Sequence, residues 1–167
     1  MALRTRLADF DGKNTRLLEG VRADYEPTDE VVDELLDIAE GDDAMAQVAA
    51  TWLLKAYVKR GRRLGVADVV RLGGALTSLP DGHASLHACQ MVAYLELSES
   101  VVEEYADFAR RCLGSRATFV RAWAVDALYR IASSHPRFFD EAQAALASAL
   151  SDRAPSIRAR ARRITQE

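Results

Sequence analysis

The sequence contains only two cysteines, Cys89 and Cys112, and three histidines. Two isolated cysteines make neither a disulfide framework nor a zinc knuckle. Each lies on the apolar side of a predicted helix, where a free thiol behaves as a small hydrophobe, so we expect a reducing compartment. Aromatic residues are scarce and alanine and leucine are abundant, which favours closely packed helices over sheets.

Long apolar stretches are also missing. No run approaches the roughly 20 residues that a membrane-spanning helix needs. Residues 1–6 are not followed by an apolar segment, so we do not expect a signal peptide. These observations together predict a cytoplasmic protein.

Enzyme motifs are absent as well. The chain has no phosphate-binding loop, no Gly-x-Ser-x-Gly and no His-Glu-x-x-His sequence. His83 and His87 are four residues apart on one helix face, but Asp81 and Cys89 do not share that face as further metal ligands. The sequence therefore predicts no catalytic residue, no metal site and no cofactor.

The chain contains one sequence motif, here called the phrase, that recurs four times, at residues 46–54, 86–94, 120–128 and 157–164. Aligned at Gln47, His87, Arg121 and Arg158, the copies lie 40, 34 and 37 residues apart. A period in this range is typical of stacked helical hairpins. No hairpin buries its apolar faces alone, but stacked neighbours share a continuous core.

The apolar spacing predicts four hairpins, whose first and second helices we call A and B. They are preceded by an N-terminal extension, residues 1–27, with one short helix near residues 15–25. Ser100 and Glu103 have the spacing of a capping box. The whole chain, 1–167, is predicted to be one domain with repeats over 28–165. The predicted helices span residues 28–40, 44–59, 66–79, 84–97, 100–113, 117–133, 139–150 and 155–165.

The third and fourth phrases resemble HEAT repeats of the armadillo-type superfamily, whose second helix carries Val-Arg-x-x-Ala-x-x-Ala-Leu after an aspartate-containing turn. The matching positions are Val120, Arg121, Ala124, Ala127, Leu128, Asp152, Ile157, Arg158, Ala161 and Ile164. The resemblance implies an all-α, right-handed superhelix of about four hairpins. It also implies a polar ladder in which Asp152 accepts a hydrogen bond from Arg121. Gln47 and His87 depart from the pattern in the first half.

By the same resemblance, the B helices line a concave face that binds another protein. We therefore expect a non-enzymatic interaction module, an adaptor or inhibitor-type binder, with no cofactor. The residues predicted to line the partner-binding face are Gln47, Thr51, Lys55, His87, Gln90, Arg121, Arg158 and Arg162.

Two alternatives remain open at this stage. Trp52, Trp123 and Asp126 on B helices loosely resemble the groove of DNA glycosylases built from DNA-alkylation repeats, which implies a nucleic-acid-binding protein. Self-assembly through an apolar end repeat is the other. The charge distribution does not distinguish these functions. Residues 19–43 carry eleven acids and one base, whereas basic clusters lie near residues 55–63 and 153–163. Such clusters suit either an acidic partner or the polar outer face of a terminal repeat.

Overall fold

The computed structural model describes residues 2–167, and all regular structure in that range is helical, so the expected all-α superhelical fold is confirmed. Ten α-helices and two short 3-10 turns make up the described chain. The α-helices are α1 Leu3–Leu7, α2 Thr15–Asp24, α3 Asp29–Ala39, α4 Ala44–Lys59, α5 Val66–Ala75, α6 His83–Met91, α7 Val102–Leu113, α8 Thr118–Ser134, α9 Phe139–Leu150 and α10 Pro155–Ile164; the 3-10 turns are Val92–Tyr94 and Pro136–Phe138.

The helices from α3 onward form two layers. The inner layer is the row α4, α6, α8 and α10, in which each helix packs along the next. The outer helices α3, α5 and α7 contact one another far less. Because the inner helices are packed more closely than the outer ones, the array curves with the B helices on its inside.

The N-terminal helices cover the open end of this array. Both α1 and α2 pack on the first hairpin, and Leu3, Leu7, Leu18 and Val21 are buried in the core. The short helix expected near residues 15–25 is α2, whereas α1 has no counterpart in the sequence analysis. This cover keeps the apolar end of the helix stack away from water.

Local sequence explains where the first helices begin. Thr28 Oγ1 accepts a hydrogen bond from the Val31 amide at 3.3 Å, and Asp43 Oδ1 accepts from the Met45 and Ala46 amides at 2.9 and 3.0 Å. These side chains satisfy amides that have no partner inside the helix. The capping box expected at Ser100 is wrong, because Val101 precedes α7 and the Ser100 hydroxyl hydrogen-bonds that of Ser98 instead.

The second hairpin is shorter than predicted. Helix α5 ends at Ala75, and α6 ends at Met91 and tightens into the 3-10 turn before the chain leaves the helix at Leu95. The turn between the two helices includes Gly82 at φ 110°. That conformation disfavours any side chain, so glycine is required there.

The apolar core has two parts, and helices α8 and α9 contribute residues to both. The larger part extends from the N-terminal helices to α9 and includes Leu128 of α8. The smaller part fills the last hairpin and consists of Ala122, Val125, Leu146, Ala149, Ile157, Ala161 and Ile164. Helix α8 therefore presents one face to each part.

Adjacent glycines on α5 provide a stability test. A Cβ atom at Gly73 would lie 3.0 Å from Val101 Cγ2 and 3.2 Å from Tyr105 Cε2, whereas one at Gly74 meets no atom within 4 Å. We expect Gly74→Ala to stabilise the fold by about 1 kcal/mol through helix propensity. We expect Gly73→Ala to destabilise it, since crowding of about 1–3 kcal/mol outweighs the same gain. Urea unfolding of both variants measures the difference, and equal stabilities would contradict the close packing of α5 on α7.

Within the described residues, no helix is both long and apolar enough to cross a membrane.

Candidate binding groove on the inner helices

A groove with a volume of about 300 Å³ runs across the C-terminal halves of the inner helices. We call it the inner groove. Helices α4, α6, α8 and α10 each contribute to it. Its lining residues are Lys55, Lys59, Gln90, Ala93, Tyr94, Trp123, Asp126, Arg130, Arg160 and Glu167.

One wall of the inner groove is a buried carboxylate between two arginines. Asp126 on α8 has a side chain that is 2% exposed. Its Oδ2 lies 3.5 Å from Arg130 Nε, and its Oδ1 lies 3.6 Å from Arg160 Nη1. The Arg160 guanidinium lies 3.6 Å from the centre of the Trp123 ring, in cation–π contact. Arg130 also forms an ion pair with Glu167.

The carboxylate of Asp126 is incompletely satisfied. Among the described residues, Oδ1 has no hydrogen-bond partner, although the two arginines are close. Burial raises the pKa of Asp126, and the positive charges of Arg130 and Arg160 offset only part of that effect. A buried acceptor without a donor costs free energy, so this oxygen is a natural acceptor for an N–H or O–H group of a bound molecule.

Neutralising this carboxylate should stabilise the protein. Because its pKa is raised on folding, ionisation of Asp126 costs stability once the pH exceeds the ordinary aspartate value. We expect Asp126→Asn to raise the Tm at pH 7. In the variant, Arg130 retains its ion pair with Glu167, and Arg160 retains its cation–π contact with Trp123. The difference from wild type should shrink as the pH is lowered towards 4. Thermal unfolding followed by circular dichroism at both pH values measures it, and a lower Tm for the variant at pH 7 would contradict the burial argument.

The opposite wall carries two lysines without acidic partners. Among residues 2–167, no carboxylate lies within ion-pair distance of Lys55 or Lys59. Burial lowers the pKa of Lys55, and the charge of Lys59 lowers it further. Lys55 Nζ lies 5.7 Å from the centre of the Trp52 ring. Two ammonium groups that repel each other would be stabilised by an anion placed between them.

The faces of both tryptophans are occupied by cations. Arg22 lies 5.8 Å above the Trp52 ring, on which Lys55 also rests, and Arg160 covers Trp123. Tyr94 is the groove aromatic with the greatest freedom, since it is 46% exposed. The inner groove therefore offers charge and hydrogen bonds more readily than open aromatic faces.

The structure separates the predicted partner-binding residues into groups. Lys55 and Gln90 line the inner groove, and their role in binding a partner stays a prediction. Gln47, Thr51 and His87 are buried, so their predicted place on a partner-binding surface is wrong. The reason is that Thr51 Oγ1 lies 3.1 Å from His87 Nδ1 at the contact between α4 and α6, while Gln47 is turned to the preceding loop.

Arg121 and Arg158 are half-buried, and each turns back to the loop before its own helix. Arg121 Nη1 donates to the Ser115 carbonyl at 2.8 Å, and Arg158 Nη1 donates to the Asp152 carbonyl at 2.7 Å. Gln47 Nε2 does the same to the Gly41 carbonyl at 2.8 Å, again six residues earlier. The shared repeat position thus closes the turn inside a hairpin, which argues against a role in contacting a partner.

The expected ladder from Arg121 to Asp152 is not formed among the described residues, because both groups are used within their own turns. Asp152 Oδ1 accepts from the Ala154 amide at 2.8 Å. A link between neighbouring hairpins exists one step earlier, where Ser115 Oγ donates to Asp81 Oδ1. Arg162 is exposed on α10 and lies outside the lining of the inner groove.

The two histidines of α6 lie in different surroundings. His83 is exposed and stacks on Phe119 with ring centres 5.4 Å apart, while His87 is buried between α6 and α4. Among the described residues no group of histidine, cysteine and acidic side chains has the arrangement of a metal site.

The charge runs noted in the sequence are partly matched to each other. Arg71 on α5 hydrogen-bonds Asp37 at 2.6 Å and Glu40 at 3.0 Å, and also pairs with Asp33. The hydrogen bond to Glu40 is the main cause of its raised pKa. Much of the acidic stretch near α3 therefore holds neighbouring outer helices together. This internal use supports the structural interpretation of that stretch over a docking role.

Sequence reasoning missed several groove residues. Trp123 and Asp126 were noted only as part of the glycosylase alternative, and the remainder were not assigned to a site: Lys59, Ala93, Tyr94, Arg130, Arg160 and Glu167. One signal was available, since Trp52, Lys55 and Lys59 follow the spacing of a single helix face. The contribution of α10 depends on tertiary packing.

Comparison of the chain with protein-family models, with curated protein sequences and with solved structures finds no match. The fold and the groove alone define its class: an all-α stack of helical hairpins with a charged groove along the inner helices.

Proposed function

We propose that this chain is a HEAT-like, non-enzymatic interaction module of the adaptor or inhibitor type, and that its inner groove binds an acidic segment of another protein. The observation that carries this proposal is the pair Lys55 and Lys59, which lie in the groove without an acidic partner among the described residues. An aspartate or glutamate side chain between these ammonium groups removes their mutual repulsion.

Three features support the HEAT-like part of the proposal. The repeat period agrees with hairpins whose second helices form one continuous inner row. The position shared by Gln47, Arg121 and Arg158 makes the same turn-closing hydrogen bond in three hairpins. Gly73 leaves room for the Val101 and Tyr105 side chains, so α5 meets the start of the next hairpin at this point.

The chemistry of the inner groove fits a peptide segment. The lysines supply positive charge at one wall. At the other wall, Asp126 Oδ1 is a hydrogen-bond acceptor that has no donor among the described residues. A peptide carries both complements, a side-chain carboxylate and backbone N–H groups, within a few residues. Tyr94 also lines the inner groove and supplies an exposed aromatic surface, and tyrosine is enriched at protein interfaces.

A charge-reversal experiment tests the proposal. The double variant Lys55→Glu/Lys59→Glu should weaken binding of a fluorescent glutamate-rich peptide by at least about tenfold, or about 1.4 kcal/mol. The control is Arg116→Glu/Arg153→Glu, which changes the net charge equally at exposed residues in the loops before α8 and α10. Fluorescence anisotropy measures both, and equal weakening in the two variants would reduce the interaction to a general charge effect.

A nucleic-acid-binding protein related to DNA-alkylation-repeat glycosylases is the second candidate, and Asp126 beside Trp123 in the inner groove favours it. The cations that cover Trp52 and Trp123 disfavour it, because they occupy the ring faces on which a base would stack. Binding of an oligonucleotide that falls steeply with salt, together with little binding of the acidic peptide, would select this candidate.

A further inference from the structure

Two half-buried cations, Arg22 and Lys55, differ from the others in having no polar partner within the described chain. Neither has a carboxylate within ion-pair distance there, and neither side chain donates a hydrogen bond to a backbone carbonyl. The remaining half-buried lysine and arginine side chains of residues 2–167 each reach a carboxylate or a carbonyl, and they are Arg6, Arg62, Arg71, Arg110, Arg121, Arg130, Arg158 and Arg160. Arg22 and Lys55 are therefore the exception to the way in which this protein compensates partly buried positive charge.

The Arg22 guanidinium has unused hydrogen-bond donors. Its Nε is shielded from solvent and has no partner among the described residues, whereas its two Nη atoms remain reachable from solvent. Glu19 lies three residues earlier on α2, yet within the described range it forms no ion pair with Arg22. A partly buried charge without an opposite charge nearby costs free energy. An anion that reaches the Nη atoms would therefore be bound favourably.

Both cations contact the same aromatic ring, next to the inner groove. Arg22 Cζ lies 5.8 Å and Lys55 Nζ 5.7 Å from the centre of the Trp52 ring. The ring attracts each cation, but it leaves the two positive charges uncompensated. Lys55 also lines the inner groove, and α2 packs against α4. The positive surface of the groove therefore continues past Trp52 onto α2.

We propose that the Arg22 guanidinium, beside Trp52, is a second subsite for the partner segment. This Arg22 subsite binds an acidic residue two positions away from the acidic residue that Lys55 and Lys59 hold in the inner groove. The inference rests on the proposed function and adds the sequence pattern acid-x-acid to the partner. It also makes α2 part of the binding surface, in addition to its role as a cover for the helix stack.

The spacing follows from the geometry of an extended peptide. Successive side chains of a strand point to opposite faces, so residues two apart point to the same face and lie about 7 Å from each other. Because Arg22 and Lys55 are both measured to the centre of one ring, a peptide of this spacing reaches both cations with its side chains. Adjacent acidic residues would direct one carboxylate away from the protein.

Four fluorescent peptides in an otherwise neutral sequence test the spacing by anisotropy. Their central residues are Glu-Ala-Glu, Glu-Glu-Ala, Glu-Ala-Gln and Gln-Ala-Glu. We expect the Glu-Ala-Glu peptide to bind the wild-type chain at least about fivefold more tightly than any of the others, since it alone presents two carboxylates on one face. Equal affinity of the Glu-Ala-Glu and Glu-Glu-Ala peptides, which carry the same charge, would overturn the proposed pattern.

Substitution at Arg22 tests the subsite itself. Arg22→Gln should weaken the Glu-Ala-Glu peptide at least about fivefold and change the one-acid peptides by less than about twofold. Arg22→Lys keeps the charge and should retain most of the affinity. Arg16→Gln, at an exposed residue of the same helix, is the control for net charge and should have little effect. Equal weakening of all peptides by Arg22→Gln, or no rescue by Arg22→Lys, would overturn the subsite.

The one-acid peptides separate this inference from the proposed function. If Lys55→Glu/Lys59→Glu weakens them while Arg22→Gln leaves the Glu-Ala-Glu peptide unaffected, the groove binds acidic residues and the Arg22 subsite is refuted. If the lysine variant leaves them unaffected, the proposed function itself fails. A single-stranded oligonucleotide that binds more tightly than every peptide would overturn the acidic segment as the occupant.

Discussion

Acidification from pH 7 to pH 3 should remove about 4 kcal/mol from the free energy of unfolding through His87 alone. Burial lowers the pKa of His87 to about 3, from an ordinary value near 6.5. Between these pH values, the His87 ring therefore binds a proton in the unfolded chain but stays neutral in the folded protein. The contribution of His87 is complete above pH 6.5 and is lost as the pH falls towards 3.

The surroundings of His87 explain the size of this effect. The ring is enclosed between α6 and α4, and the positive charges of Lys55 and His83 oppose a further proton. The Thr51 hydroxyl, 3.1 Å from Nδ1, donates to the Gln47 carbonyl at 2.8 Å. A neutral ring with its proton on Nδ1 satisfies this network. The hydrogen bond to the Val48 backbone favours the charged ring, but burial and the neighbouring charges outweigh it.

Substitution isolates His87 from the carboxylates that also titrate in acid. We expect His87→Asn, whose amide supplies a donor near the Nδ1 position and does not titrate, to show a much shallower loss of stability between pH 6.5 and 4. His83→Asn is the matched control, because His83 is exposed on the same helix. Urea unfolding across the pH series measures each slope. If both variants kept the wild-type slope, His87 would not be the group responsible.

Leu128→Ala should be the most damaging single truncation on α8, costing about 2–5 kcal/mol. The Leu128 side chain is fully buried, in the larger core, on the helix that packs against α6, α7, α9 and α10. Its removal leaves a cavity among helices that are already held by several neighbours, so little collapse can fill it.

The control for this truncation is Leu150→Ala at the end of α9, where the leucine is 39% exposed. We expect that change to cost less than about 1 kcal/mol, since a half-exposed side chain loses less apolar burial. Denaturant midpoints of the two variants give the comparison. Similar losses at both positions would mean that α8 is not the packing centre of the stack.

Sequence reasoning predicted the helical hairpins because the apolar spacing and the turn residues agree with each other. Thr28 and Asp43 cap the N-terminal ends of α3 and α4, and each helix begins directly after its capping residue. The end of α6 was predicted too late, at residue 97. Residues 92–97 are mostly apolar and keep a helical composition, so only packing against α8 determines where that helix stops.

The candidate site was predicted less well than the fold, because adjacent positions on one helix can face either the groove or the core. On α4, residues 48, 52, 55 and 59 share a face, and Lys55 and Lys59 of this face line the inner groove. Gln47 and Thr51 lie on the neighbouring face and are buried. Polar character suggested exposure for both, whereas each satisfies backbone carbonyls inside the fold.

The sharing of α8 between two cores has a consequence for how the inner groove behaves over time. Arg160 reaches the groove from α10, and α10 packs on the smaller core, three of whose seven residues are alanines. Segments with few buried contacts open more often than the rest of a protein. A ligand that spans Lys55 and Arg160 would bind only the closed form, so it would slow amide hydrogen exchange throughout the last hairpin. Binding in the groove and local opening of the last hairpin are therefore coupled, and a bound partner shifts the hairpin towards its closed form.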